Sequence, residues 1–267
     1  MDQTITDGRK SIMTQEEMNI LVPRRLREIE QTHQVKVLYA AESGSRAWGF
    51  ASPDSDFDIR MIYMRSQSDY LRLDKVRDVI DYPVDGVWDI SGWDLDKTLR
   101  LLYVSNPSLY DWLGSPVCYY DSGFKAQIEP LLKMYFSQSG MMRHYCGIAG
   151  HRIAEVHEGG TLRPKKYFYA LRAVLCCRWI EKYDDAPPVP FTVLLDEMLP
   201  PGLRGQVDRV MHEKVNLAEK AQIERSAAID DFLDAEYAAI REYVSRMPVE
   251  ADKSWDELNR FFMTLTA

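Results

Sequence analysis

Two aspartates one residue apart, Asp56 and Asp58, follow a Gly44-Ser45 pair across a gap of ten residues, an ordering suited to holding phosphate and metal together. On a strand, alternate side chains project to one face, so both carboxylates would point together while Phe57 turns into the core. Two such charges a few ångströms apart repel, and divalent cations relieve the repulsion. Magnesium takes oxygen ligands and binds through one or two carboxylates plus substrate phosphates. Gly44 lets backbone N–H groups approach a phosphate closely. Ser45 adds a hydroxyl, and a helix starting there favours the anion. A third carboxylate is expected from a neighbouring strand. Asp89, within Trp88-Asp89-Ile90, repeats the apolar-Asp-apolar setting, whereas Asp81 and Asp85 each lie beside a turn signal. Three convergent carboxylates permit two-metal chemistry, with one ion on the attacking oxygen and the other on the triphosphate and leaving pyrophosphate. A lone DxD or GS is common; the whole ordered set is far more specific. It points to a nucleotidyltransferase.

The elements needed to position these residues are legible. Thr14-Gln-Glu-Glu17 is a capping box, and a helix follows to about Thr32, bent or restarted at Pro23. Val35 to Ala41 reads as a mostly buried strand, Ser43-Gly-Ser45 as a turn, and Arg46 to Phe50 as a short helix. Asp56 to Tyr63 alternates and then becomes apolar, as a second strand would. Val76 to Tyr82 and Val87 to Ile90 are further strands about an Asp85-Gly86 turn. Asp94 caps a helix carrying Leu95, Leu99 and Leu102, and Asn106-Pro107 opens the next, closed by Gly114. Beyond Phe124 the periodicity is almost entirely helical, with segments at 124–137, 140–158, 164–183, 191–198, 203–219, 221–246 and 252–264. Strands come first and helices after, so the chain reads as α+β rather than alternating βαβ. The expected division is an α+β part over 1–125 and an all-helical part over 126–267, with the boundary between about 115 and 140.

The chain has 267 residues and a net charge of −8, which disfavours a long duplex ligand needing a broad basic face. No apolar run approaches the roughly 20 residues of a membrane helix. The N-terminus lacks the pattern of a secretory signal, and Cys118, Cys146, Cys176 and Cys177 show no CxxC spacing. A cytoplasmic location without membrane association is expected.

At the acidic motif the sequence resembles the DNA polymerase beta-like nucleotidyltransferase superfamily. More narrowly, it resembles the RNA-ligase-associated (YcgL-like) predicted nucleotidyltransferases. The matching stretches are Glu42-Ser-Gly-Ser-Arg-Ala-Trp-Gly-Phe-Ala-Ser-Pro-Asp-Ser-Asp-Phe-Asp-Ile-Arg60, Asp89-Ile-Ser-Gly-Trp-Asp-Leu95 with Lys97, Ser105-Asn-Pro107, and Lys165-Lys-Tyr-Phe-Tyr-Ala-Leu-Arg172. The resemblance implies a small mixed β-sheet flanked by helices, then a helical domain closing over the nucleotide. It implies Mg2+, two ions with Mn2+ as a substitute, and transfer of a nucleoside monophosphate. Gly44 and Ser45 match the phosphate turn, Asp56 and Asp58 the metal carboxylates, and Asp89 the third acid. It also implies a link to RNA repair and association with an RNA ligase.

Lys165, Tyr169 and Arg172 recur at i, i+4 and i+7 and share a helical face. Alone they read as a solvated basic face. With the resemblance, Lys165 and Arg172 grip the triphosphate and Tyr169 packs on base or ribose. Arg46, directly after the turn, is a candidate phosphate contact, and Arg60 either contacts phosphate or balances the acids. His144, His151 and His157 with Glu155 read as helix-surface residues rather than a zinc site, since a second tight ligand pair is lacking. The acceptor stays open between an RNA end, a protein side chain and a small hydroxylated molecule. Two rival functions use the same fold: a non-catalytic nucleotide-binding sensor and an RNA-repair accessory protein.

Overall fold

The computed structural model describes residues 13–53, 55–74, 76–158, 162–216, 222–248 and 252–267. Asp54 of the acidic motif, residues 217–219 of the expected segment 203–219 and residue 221 of the expected segment 221–246 lie outside that set. The first helix, α1 (Gln15–His33), starts with the expected capping box: the Thr14 hydroxyl accepts from the Glu17 N–H, and the Glu17 carboxylate accepts from the Thr14 N–H. It continues through Pro23 without a break.

The strands are β1 (Lys36–Glu42), β2 (Phe57–Met64), β3 (Val79–Asp81), β4 (Trp88–Asp94) and β5 (Cys118–Asp121). They form one sheet in the order β3-β4-β2-β1-β5. Only the β2–β4 pairing is parallel. The sheet is therefore mixed and the fold α+β. β3 is shorter than the expected Val76 to Tyr82, and the sheet differs from the sequence reading in two further features. β4 runs four residues past Ile90, because its whole length is paired with β2. β5 lies where the sequence reading assigns no strand; it is a short edge strand paired with β1.

Short helices link the strands: α2 (Gly44–Trp48) between β1 and β2, and α3 (Gln67–Tyr70) after β2. α4 (Leu95–Tyr103) is capped by Asp94, which accepts from the Asp96 N–H, and α5 (Pro107–Leu113) by Asn106, which accepts from the Ser108 N–H. The remaining helices are α6 (Phe124–Tyr135), α7 (Gln138–His157), α8 (Pro164–Tyr183), α9 (Phe191–Met198), α10 (Pro201–Asn216), α11 (Ala227–Arg246) and α12 (Asp256–Thr266). No helix among the described residues is long and apolar enough to cross a membrane.

Three apolar clusters hold these elements. On one sheet face, Phe57, Ile59, Met61 and Tyr63 of β2 pack with Met18, Val22, Leu26 and Ile29 of α1. On the other, Leu38 and Ile62 pack with α4, α5, α6 and Leu258 of α12. The third cluster gathers α7 to α11 and includes Phe50, which follows α2. Burying each such side chain contributes roughly 1.5–3 kcal/mol. Phe50 is thus an anchor that ties the loop after the glycine-serine turn to the helical cluster.

Candidate active site

The parallel register sets Asp58 of β2 directly beside Asp89 of β4. Neighbours in a parallel ladder project to the same face. Farther along that face Ile62 and Trp93 enter the core under α4 and α5. At the other end the face is polar, carrying Asp58, Arg60 and Asp89. The two carboxylates remain accessible, with side-chain exposures of 27% and 31%. Arg60 spans them: its Nη2 donates to Asp58 Oδ1 at 3.0 Å and to Asp89 Oδ2 at 2.9 Å, and its Nη1 donates to the Asp89 carbonyl at 2.9 Å. Burial pushes the Asp58 carboxyl up to about 6; Arg60 opposes this, and the neighbouring Asp89 and Asp56 reinforce it. Burial is the largest single influence on Asp89 and works against its charge, but the hydrogen bond and charge of Arg60 together with a hydrogen bond from Asp58 outweigh it and hold that carboxyl below its ordinary value. One guanidinium is shared by two acids, and Asp89 takes the larger part of it.

Gly44 opens α2 at φ +58°, in the left-handed region, and a Cβ built on it would lie 2.2 Å from Asp58 Oδ2. Only glycine leaves the carboxylate in place. The bend itself is half-buried at Gly44 and Ser45, so it is open to a ligand. Gly44→Ala should therefore cost about 1–2 kcal/mol in backbone conformation and also expel the Asp58 carboxylate. A fall of a few degrees in Tm together with loss of Mn2+ binding, measured by electron paramagnetic resonance, is the expected result.

Asp56 stands one residue before β2 and is exposed, so strand alternation does not aim it. Among the described residues no three His, Cys, Asp or Glu side chains converge on a metal point. In this structure Asp58 and Asp89 form the close pair, and Asp56 stands near enough for its charge to raise the Asp58 carboxyl. The pair fits magnesium: both are hard oxygen donors, which the ion takes one or two at a time, and the missing Cβ at Gly44 lets Asp58 Oδ2 sit against the bend. Arg46 turns to the loop preceding β2. Its Nε donates to the Asp56 carbonyl at 3.1 Å, its Nη2 to the Ser55 carbonyl at 2.7 Å, and its guanidinium lies 3.6 Å above the Phe57 ring centre. As placed, it braces the acidic loop.

Glu42 carried no assigned role in the sequence, although it heads the motif. It is fully buried. Its Oε1 accepts the Asp58 N–H at 2.7 Å, and its Oε2 accepts the Tyr119 hydroxyl. Burial pushes its carboxyl up to about 7, against the pull of those two hydrogen bonds. The available signal was a carboxylate directly after the apolar run Val37 to Ala41.

The basic face of α8 is split. Lys165 and Tyr169 line a surface cavity of about 440 Å³ with Arg152, Glu155, Arg163, Lys166 and Gln222. The Arg152 guanidinium lies 5.0 Å from the Tyr169 ring, and that ring meets Trp48 of α2 edge-on at 5.2 Å. The cavity therefore adjoins the helix that begins at Gly44. Arg172, by contrast, is buried, ion-paired to Asp111 at 3.0 Å and 4.4 Å from the Trp48 ring. A seven-residue step keeps it on the same helix face but about 10 Å farther along the axis, where Asp111 of α5 and Trp48 of α2 cover that face, so it does not line this cavity. Two histidines of α7 pair with carboxylates: His151 with Glu155 on the same helix, and His157 with Asp234 of α11.

The sequence matches RlaP, the RNA repair pathway DNA polymerase beta family, over residues 18–264. It is 39% identical over 240 residues to "Uncharacterized protein YcgL" of Bacillus subtilis (strain 168), covering 89% of this chain and 92% of that protein. With the acid pair, the glycine bend and the mixed sheet in place, the chain belongs to the RNA repair pathway DNA polymerase beta family.

Proposed function

We propose that this protein is a magnesium-dependent nucleotidyltransferase that moves a nucleoside monophosphate from a triphosphate to an acceptor and releases pyrophosphate. The observation that carries this reading is the placement of Asp58 and Asp89 side by side, against a glycine bend with no room for a Cβ. Magnesium held by Asp58 and Asp89, with Asp56 at the mouth of the site, would neutralise the phosphates. Gly44 and Ser45 present the bend to the β- and γ-phosphates. Asp89 orients the attacking oxygen of the acceptor. Lys165, Lys166, Arg152 and Arg163 gather positive charge where a triphosphate tail would extend, and Tyr169 offers a ring for base or ribose. Rate enhancement then comes from positioning and charge neutralisation.

The test is incubation with labelled nucleoside triphosphates and Mg2+ in the presence of RNA, protein or metabolite extracts. Label joined to one of these pools supports the reading and identifies the acceptor. Label confined to triphosphate and its hydrolysis products counts against it. Arg152→Ala and Lys165→Ala should each raise the KM for triphosphate roughly 10- to 100-fold with a smaller change in kcat, as expected for loss of a charge-assisted contact of about 1.5–3 kcal/mol. Arg60 already spans both acids, and this favours one alternative, a nucleotide-binding protein without turnover. Calorimetry showing tight ATP–Mg2+ binding with no transfer to any acceptor would select that alternative.

A further inference from the structure

We infer that Glu42 is a positioning residue, whose buried carboxylate holds the backbone of Asp58 so that its side chain stays aimed at the cation site. The inference rests on the metal-binding reading above. Asp58 lies where β1 ends and the chain bends into α2. Its carbonyl still accepts a backbone bond, from the Ser43 N–H at 2.8 Å. Its N–H donates to the Glu42 carboxylate, at 2.7 Å.

Glu42 is itself pinned on every side. Its N–H donates to the Val117 carbonyl at 2.9 Å. Its carbonyl accepts from the Ser115 hydroxyl at 2.6 Å. The second carboxylate oxygen accepts from the Tyr119 hydroxyl, which in turn accepts from Gln15 Nε2 at 3.1 Å. One side chain thus joins α1, β5 and β1 to the backbone of a candidate metal ligand. The bend it precedes lies within contact of that ligand, since a Cβ on Gly44 would overlap Asp58 Oδ2.

A fully buried carboxylate is an expensive way to fill a core, because burial penalises its charge and an apolar side chain of similar size does not incur that penalty. Both of its oxygens are nonetheless committed to neutral donors around Asp58. Such a departure from the local packing rule is expected where geometry must be held tightly. Outer partners of metal ligands, when removed, typically weaken metal affinity 10–100-fold.

The experiment measures Mn2+ dissociation constants by electron paramagnetic resonance, alongside Tm, for wild type, Glu42→Leu, Glu42→Gln, Tyr119→Phe and Asp58→Asn. Leucine fills the space but cannot accept the Asp58 N–H, so Mn2+ binding should weaken at least about tenfold. Glutamine retains an acceptor oxygen and should restore affinity to within about threefold of wild type. Tyr119→Phe leaves the Tyr119 partner oxygen of Glu42 without its donor and should weaken Mn2+ binding measurably while the protein stays folded; this carries the test if Glu42→Leu does not fold. A purely structural role predicts a lower Tm with unchanged Mn2+ affinity, and that result overturns the proposal. If wild type binds Mn2+ and Asp58→Asn does not, yet the Glu42 and Tyr119 variants bind like wild type, the Glu42 role alone fails. If wild type binds no Mn2+, both readings fail.

Discussion

Asp58→Asn should lower nucleotidyl transfer by about 10²–10³-fold, the scale on which removing one preorganised charge-stabilising group affects such steps, while the protein remains folded. Asn is nearly isosteric, and one oxygen still faces Arg60, which lies 3.0 Å away. The position is one where burial already works against the carboxylate charge, so neutralising it should leave Tm unchanged or slightly higher. The Arg60 guanidinium would keep Asp89 as its main partner. Steady-state transfer assays and a thermal melt on the same preparation check both halves. Activity within tenfold of wild type would remove Asp58 from the chemistry. An equally inactive protein with a large fall in Tm would indicate a structural residue instead.

Arg172→Met should produce the largest loss of stability, about 3–5 kcal/mol, because it leaves Asp111 as an uncompensated charge at a nearly closed site. Arg172 and Asp111 expose only 4% and 14% of their side chains. Burial works against the Arg172 charge, but Asp111 beside it keeps the guanidinium protonated. For a chain of this size the loss corresponds to a Tm lower by roughly 10 °C. Arg172→Lys should recover little, since an ammonium lacks the planar fork that meets Asp111 and covers the Trp48 ring. The double replacement Arg172→Met with Asp111→Leu should be more stable than Arg172→Met alone, because both charges leave together. Thermal melts of the four proteins suffice. A normal Tm for Arg172→Met with a raised KM for triphosphate would return Arg172 to the ligand wall.

The contrast between Arg172 and Lys165 shows where a linear pattern stops being informative. Spacing of i, i+4 and i+7 establishes that three residues lie on adjoining parts of one helix surface. It does not establish which parts of that surface a neighbouring element covers. Here the sector at Arg172 is closed by Asp111 of α5 and Trp48 of α2, while Lys165 and Tyr169 sit at the open end. The acidic motif behaves similarly. Alternation pairs Asp56 with Asp58 only if both lie within the strand, and β2 begins at Phe57. Asp89 lies 31 positions beyond Asp58, yet becomes its neighbour because β4 pairs in parallel with β2 at that register.

Short-range features needed no tertiary information. The Thr14–Glu17 box, the Asp94 and Asn106 caps, the bounds of α8 and α9, the first two strands and the glycine-serine bend were all readable, because their causes act within a turn or two of chain. The carboxylate pattern and its likeness to a nucleotidyltransferase motif were readable for the same reason. Tertiary structure alone supplied the Asp58–Asp89 contact, the edge strand β5, the burial of Arg172 and the bond from Glu42 to the Asp58 backbone. Each of these depends on which distant segment packs alongside, and that choice is made by the summed burial of three apolar clusters rather than by any local spacing.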